Sequence, residues 1–351
     1  MSYYIGIDLH KQFSSVAILD ETGQLMDQQK IYHTNQQDVI DYFATYPAKT
    51  NVAVEATGNW YWLVDSLQSL GLNVKLVHAK KARIIAESTV KTDKIDARAL
   101  AHLDRCNFLP QAYICDPHTR SQRELLRYYM SLVQVRTSIK NRIHAILAKY
   151  NIHHPFSDLF GKAGLKFLRE LPLPEMFQWE LNGYLDLLEY LFFLVAKVQI
   201  RIKKTCELSD TAKLLLTIPG FAHFSALCLS SEIADIRRFK TSKKFCCYAG
   251  LASSTHQSAN TLYHGPIIKD SNKYIRYVLL EAVPKTIKKD RKLWLFHQRI
   301  LQRHGRNKAK VATARKLATS IYHVLKNNTA YCLNHNSLHQ VNSASELGTN
   351  A

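Results

Sequence analysis

Four acidic side chains occupy positions from which they could share a metal ion. Asp8 follows Ile5-Gly6-Ile7, Glu55 ends the apolar run Val52-Ala53-Val54, and Asp93 and Asp96 lie three apart in Lys91-Thr92-Asp93-Lys94-Ile95-Asp96-Ala97-Arg98. Residues three apart share one face of a helix, and an acid at the end of an apolar strand emerges where its neighbours hold the backbone. Hard oxygen ligands suit Mg²⁺, or Mn²⁺ in its place. Two such ions about 4 Å apart neutralise the attacking and leaving oxygens of a phosphodiester displacement. Taken singly, each acid reads equally as a solvated or capping residue, with Asp93 as the cap of a helix that begins at Lys94. Lys91, Lys94 and Arg98 interleave with the helical acids, where they could relieve carboxylate repulsion or reach a phosphate.

Bringing these acids together requires strands and helices in a definite order. Tyr3-Tyr4-Ile5-Gly6-Ile7-Asp8 and residues 14–19 and 24–32 read as three short strands, with a turn at Asp20-Glu21-Thr22-Gly23. A helix over residues 37–46, a buried strand over 51–55, a helix over 60–70, a strand over 72–77 and a helix from Ala79 follow. An antiparallel meander that gives way to alternating strands and helices predicts a mixed sheet covered by helices. That order is ribonuclease-H-like, and the domain is expected to span residues 1–116.

Residues 117–210 change character. Leu125, Leu126, Leu132, Val135, Ile139, Ile143, Ile146 and Leu147 recur at helical spacing, which predicts one long helix over residues 118–150. A second is expected over about 180–207, beyond a loop that holds Pro155, Pro172 and Pro174. The pair reads as a coiled-coil connector projecting from the first domain, a form that commonly dimerises. Residues 211–326 read as mainly helical, so the whole is α/β plus all-α. From Asn327 the chain turns to Asn, Ser, His and Thr, which predicts a disordered tail over 327–351.

Charge separates the two ends. The 351 residues carry a formal net charge of +19. Residues 1–116 hold 11 Lys+Arg and 13 Asp+Glu, whereas residues 211–326 hold 22 against 5. So dense an excess calls for a phosphate backbone as its counter-ion. Arg237, Arg238, Lys243 and Lys244 form one basic cluster, and Lys269, Lys273 and Arg276 form another beside Tyr274 and Tyr277. Basic residues among tyrosines suit phosphate contact with base stacking, although a solvated basic face accounts for any single cluster. Thr217-Ile218-Pro219-Gly220-Phe221 resembles half of a helix-hairpin-helix, whose glycine turn aims backbone N–H groups at phosphate.

Other classes fit poorly. Seven cysteines without a CxxC pair argue against a disulfide framework and against a structural zinc site. No apolar run approaches the roughly 20 residues of a membrane span, and the N-terminus turns polar too soon for a signal peptide. A cytoplasmic protein without membrane contact is therefore expected.

The same residues carry a family resemblance. Ile5-Gly6-Ile7-Asp8-Leu9-His10-Lys11, Val54-Glu55-Ala56-Thr57-Gly58 and Lys91 to Ala101 resemble the DEDD transposases of insertion sequences that use a bridge RNA, and the related site-specific invertase Piv. The likeness continues at Lys140-Asn141-Arg142-Ile143-His144, Ile218-Pro219-Gly220, Ile236-Arg237-Arg238-Phe239 and Tyr248-Ala249-Gly250-Leu251, so it covers about residues 3–326. It implies a RuvC-like N-terminal domain whose acidic tetrad is Asp8, Glu55, Asp93 and Asp96, with Mg²⁺ as cofactor. It implies DNA and a guide RNA as partners, while the projecting helical pair suits a homo-oligomer, a dimer or tetramer. It further implies a C-terminal serine nucleophile, and Ser258 in His256-Gln257-Ser258-Ala259-Asn260 matches that position. Three departures stand out: Ala259 where the family has Gly, Ser253 where it has Pro, and Ser271 where a Lys-x-Gly-Asn motif has Gly.

The implied function is a DNA recombinase that cuts and rejoins strands. The alternatives are a RuvC-like metal nuclease in which Ser258 is idle, and a copy that binds nucleic acid without catalysis. An actin-like sugar kinase also opens on a strand such as Ile5-Gly6-Ile7-Asp8, but needs further Gly-rich loops from a chain with 12 glycines.

Overall fold

The computed structural model describes residues 2–85, 92–258 and 261–333. The chain divides into two compact units, Met1–Cys115 and Asp116–Ala351.

In the first unit, β1 (Tyr4–Leu9), β2 (Phe13–Leu19) and β3 (Leu25–Tyr32) form the expected antiparallel meander. β4 (Asn51–Glu55) then joins β1 in parallel, and β5 (Asn73–Val77) joins β4 in parallel. A two-residue β6 (Gln111–Ala112), absent from the sequence expectation, pairs antiparallel with β5 at the edge. The six-stranded order is β3-β2-β1-β4-β5-β6, a mixed sheet with helices α1 (Gln36–Ala44), α2 (Trp60–Ser69), α3 (Ala79–Ile85) and α4 (Asp93–Arg105).

Residue size decides which helix covers which face. Successive side chains on a strand point to opposite faces, and β1 alternates large with small. Ile5 and Ile7 pair with Val52 and Val54 of β4 and join Val39, Phe43, Leu63 and Leu67 of α1 and α2 in one core. The other face presents Gly6 beside Ala53. There α4 lies so close that a Cβ on Gly6 would overlap the Ala97 carbonyl. Ala97 and Ala101 of α4 are fully buried.

Among the described residues, the second unit is helical apart from one hairpin. Its α5 (Pro117–Lys149) and α7 (Glu175–Glu207) are 33 residues each, with α6 (Lys162–Arg169) between them. The second helix begins five residues before the expected Glu180, because Pro174 sets its first turn as the N-cap. Leu132, Ile139, Ile143 and Ile146 belong with Leu181, Leu185, Leu188 and Val195 to a single core that continues to Tyr322. The long pair is therefore packed with the helices that follow: α8 (Asp210–Leu216), α9 (His223–Ile233), α10 (Ser242–Tyr248), α11 (Lys273–Thr286) and α12 (Arg291–Asn327). Gly305, at φ 79°, breaks α12.

Two features depart from the sequence reading. Within residues 211–326, read as mainly helical, a hairpin of β7 (Ser253–Ser258) and β8 (Thr261–Ile267) forms. The start of the expected tail is ordered: the Tyr331 hydroxyl donates to Asp290 at 2.5 Å and its N–H to the Thr217 hydroxyl at 3.0 Å. Residues 334–351, the rest of that tail, lie outside the described residues. Among the described residues, no helix is long and apolar enough to cross a membrane.

Candidate active site

The sheet register brings the first two acids together. The last β1–β4 pair is Ile7 with Val54, so one step further Asp8 and Glu55 stand side by side on the face that α4 covers. Along α4, positions 93, 97 and 101 form one stripe. Ala97 and Ala101 sit on Gly6, and Asp93, a turn earlier, reaches the end of β1. The neighbouring stripe is Asp96, Leu100 and Asp104, whose last member accepts from Lys75 of β5 at 2.6 Å. Thr92, not Asp93, caps α4, with its hydroxyl accepting from Ile95 N–H at 3.3 Å. Asp93 and Asp96 are thereby released from capping and stand in the first turn, where the helix dipole favours negative charge.

All four acids line one open cleft of about 420 Å³, together with Leu9, His10, Thr57 and Thr92. The expected convergence of Asp8, Glu55, Asp93 and Asp96 is thus seen within one unit. His10, quoted above only as part of a motif, is an added member. Its Nε2 lies 3.1 Å from an Asp8 carboxylate oxygen and 3.5 Å from one of Asp93. One ligand atom from each of Asp8, His10 and Asp93 falls within 4.8 Å of the others, a grouping that could hold a metal ion.

Electrostatics make the cleft costly without a cation. Asp8 is 6% exposed, and burial pushes its carboxyl above the ordinary carboxylate range. His10 and a hydrogen bond with Glu55 pull it back, while Asp96 and Asp93 push it further up. Crowded carboxylates of this kind are the donor set a hard divalent ion prefers.

Comparison with known proteins gives this geometry a family. A model of DEDD transposases of the IS110 type matches residues 5–152, and one described as transposase IS116/IS110/IS902 family matches residues 212–298. Between them they match more than half of the chain. The chain belongs to the IS110/IS116/IS902 family of DEDD transposases. Among its curated relatives, the transposase for insertion sequence element IS1328 of Yersinia enterocolitica is 25% identical, over 93% of this chain and 98% of the relative. That for element IS1111A of Coxiella burnetii is 24% identical, over 93% of this chain and 90% of the relative. The protein is accordingly a DNA transposase.

The basic residues of this transposase divide by what they touch. Lys94 on α4 is exposed, as are Lys243 and Lys244 in the first turn of α10, Lys269, and Lys273 at the start of α11. Arg276 is half-buried. Arg237 is exposed but pairs with Asp235 at 3.0 Å. Arg238 differs: its guanidinium donates to the Ile233 and Glu232 carbonyls at 3.0 and 3.1 Å and lies over the rings of Phe239 and Tyr248. That charge closes the end of α9, which makes Arg238 a structural residue rather than a free phosphate contact. Lys91 lies outside the described residues.

The Pro219-Gly220 turn is also committed internally. A Cβ at Gly220 would meet Lys285, and the Thr286 hydroxyl donates to the Pro219 carbonyl at 2.7 Å. Packing against α11, not an open anion site, explains that glycine. Ser258 closes β7, its Cα paired with Thr261, while Ala259 lies outside the described residues. Ser271 is accommodated: its hydroxyl donates to the Ile268 carbonyl at 3.2 Å and fills the space that a Cβ on Gly250 would need. Gly250, at φ 67°, thus has two reasons to be glycine.

Proposed function

We propose that this transposase cuts and rejoins DNA at a RuvC-like metal centre, with Asp8, Glu55, Asp93 and Asp96 holding Mg²⁺ and Ser258 supplying the nucleophile. The observation that carries the reading is the single cleft lined by all four carboxylates. Asp8, Glu55, Asp93 and Asp96 would hold such an ion between the sheet and one helix, where it would supply charge neutralisation at the scissile phosphate and the departing oxygen. In the serine step, Oγ bonds to phosphorus, the bond from phosphorus to one bridging oxygen breaks, and that oxygen leaves as a hydroxyl carrying the serine proton. The phosphoserine ester conserves the bond for rejoining. Lys94, Lys243, Lys244, Lys269 and Lys273 are the candidate phosphate contacts, and a guide RNA selects the target.

The test is a denaturing gel of labelled DNA with Mg²⁺ and co-purified RNA. Wild type is expected to give a covalent protein–DNA adduct that Ser258→Ala and Asp8→Ala both abolish. Cleavage that persists unchanged in Ser258→Ala would leave a metal nuclease and remove the serine from the mechanism.

The assembly reading rests on α7. Its buried stripe packs in the core, yet Trp179, Tyr190, Phe193 and Ile200 are exposed on the same helix, Trp179 by 75%. Exposed apolar surface of this extent marks an interface. α7 carries Glu175, Glu180, Asp186 and Glu189 in its first half, and Lys197, Arg201, Lys203 and Lys204 against Glu207 toward its end, so an antiparallel pair of copies opposes unlike charges. Light scattering is expected to give a dimer or higher mass for wild type and a monomer for the Trp179→Glu, Phe193→Glu double variant. Equal masses would exclude this helix as the interface.

A further inference from the structure

His10 lines the cleft without belonging to the tetrad. β1 ends at Leu9, and the chain stays extended enough for His10 to share the face of Gly6 and Asp8, two residues apart. Its backbone is clamped from two sides. The His10 N–H donates to the Phe13 carbonyl at 3.0 Å, and Asn59 Nδ2 donates to the His10 carbonyl at 2.9 Å. Asn59 is itself held by the Thr57 hydroxyl at 2.8 Å, and the imidazole packs on the Phe13 ring with centroids 4.6 Å apart. The ring is thus oriented by the fold toward the carboxylates.

Its distances suit ligation. Two donors that share one ion at about 2.2 Å each lie no more than about 4.4 Å apart. The Nε2 separations of 3.1 Å from Asp8 and 3.5 Å from Asp93 fall inside that limit. Imidazole nitrogen is a poor ligand for Mg²⁺, which favours oxygen and water, but an acceptable one for Mn²⁺.

We propose that His10 is a third protein ligand of the cation held by Asp8 and Asp93, and that its imidazole turns this subsite toward Mn²⁺ in preference to Mg²⁺. The inference rests on the tetrad being the metal centre, so its test must separate the two.

Untagged full-length protein titrated with Mn²⁺ provides that separation. Electron paramagnetic resonance reads how much free ion disappears, and the electron spin echo shows nitrogen modulation only when an imidazole ligates the ion directly. Wild type is expected to bind Mn²⁺ with nitrogen modulation. His10→Gln is expected to bind at least about tenfold more weakly, since even a partner lying behind a ligand contributes about that much to metal affinity, without modulation, and with Mg²⁺ affinity changed much less. Mn²⁺ bound to wild type without modulation, or modulation that survives in His10→Gln, would overturn the role of His10 and leave the tetrad untouched. Wild type binding no more Mn²⁺ than Asp8→Ala would overturn the tetrad itself, and His10 with it.

Discussion

Gly6→Ala is expected to lower strand cleavage by about 100-fold although the residue lies outside the cleft and carries no chemistry. A Cβ at this position would overlap the Ala97 carbonyl and the Ala101 N–H group of α4. Both are backbone atoms inside a helix, so neither can yield alone and the helix must move as a unit. Overpacking of this kind costs about 1–3 kcal/mol. The larger effect is geometric, because α4 carries Asp93 and Asp96 while β1 carries Asp8. A displacement of about 1 Å between groups that act together costs roughly 100-fold in rate. Gly58→Ala is the contrast: a Cβ there meets open space, and thermal stability is expected to stay unchanged. Melting curves and cleavage rates of the two variants check both statements.

Asp8→Asn is expected to stabilise the metal-free protein while abolishing cleavage. An acid whose folded pKa is raised is disfavoured in its ionised form by folding. The cost is therefore present above that raised pKa and relieved as pH falls through it. Burial is the main cause at Asp8, with Asp96 and Asp93 adding to it and His10 and Glu55 opposing. At neutral pH in chelator, the variant is expected to melt about 4 °C above wild type, the size of shift that about 1 kcal/mol gives. That gap should close as the pH is lowered through the raised pKa, where wild type becomes neutral too. Added Mg²⁺ should reverse the order, since an ion that binds only the folded state stabilises wild type by mass action and finds no full site in the variant. A variant that melts below wild type in chelator at every pH would contradict the electrostatic picture of the cleft.

Much of this was legible in the sequence, for reasons that are local. Asp8 and Glu55 end short apolar runs, of the length that suits buried strands. Asp93 and Asp96 precede Ala97, Leu100 and Ala101, a small apolar stripe that could only be a helix face. The cap of α4 was open in the sequence, because Thr92 and Asp93 are both capping residue types, and Thr92 takes the role although aspartate is the better cap. The β7–β8 hairpin was hidden because Ser253 to Ser258 lacks the alternation and β-branched content that mark strands; pairing with β8 supplies what the residues do not. Arg238 and Gly220 looked like phosphate contacts because their real partners, the end of α9 and the last turn of α11 at Lys285 and Thr286, are ambiguous or distant in sequence. His10 had one available signal, the spacing of two from Asp8 on a strand. That signal was masked by the expectation that the strand stops at Asp8.

The central claim is that one acidic cleft performs strand cleavage, and the most direct test is cleavage of labelled DNA by four single variants, Asp8→Asn, Glu55→Gln, Asp93→Asn and Asp96→Asn, each checked for folding and for DNA binding. The account predicts that all four retain DNA binding and lose cleavage by about 1,000-fold or more, as removal of transition-state charge stabilisation does. A folded variant of any of the four that cleaves at the wild-type rate would contradict it.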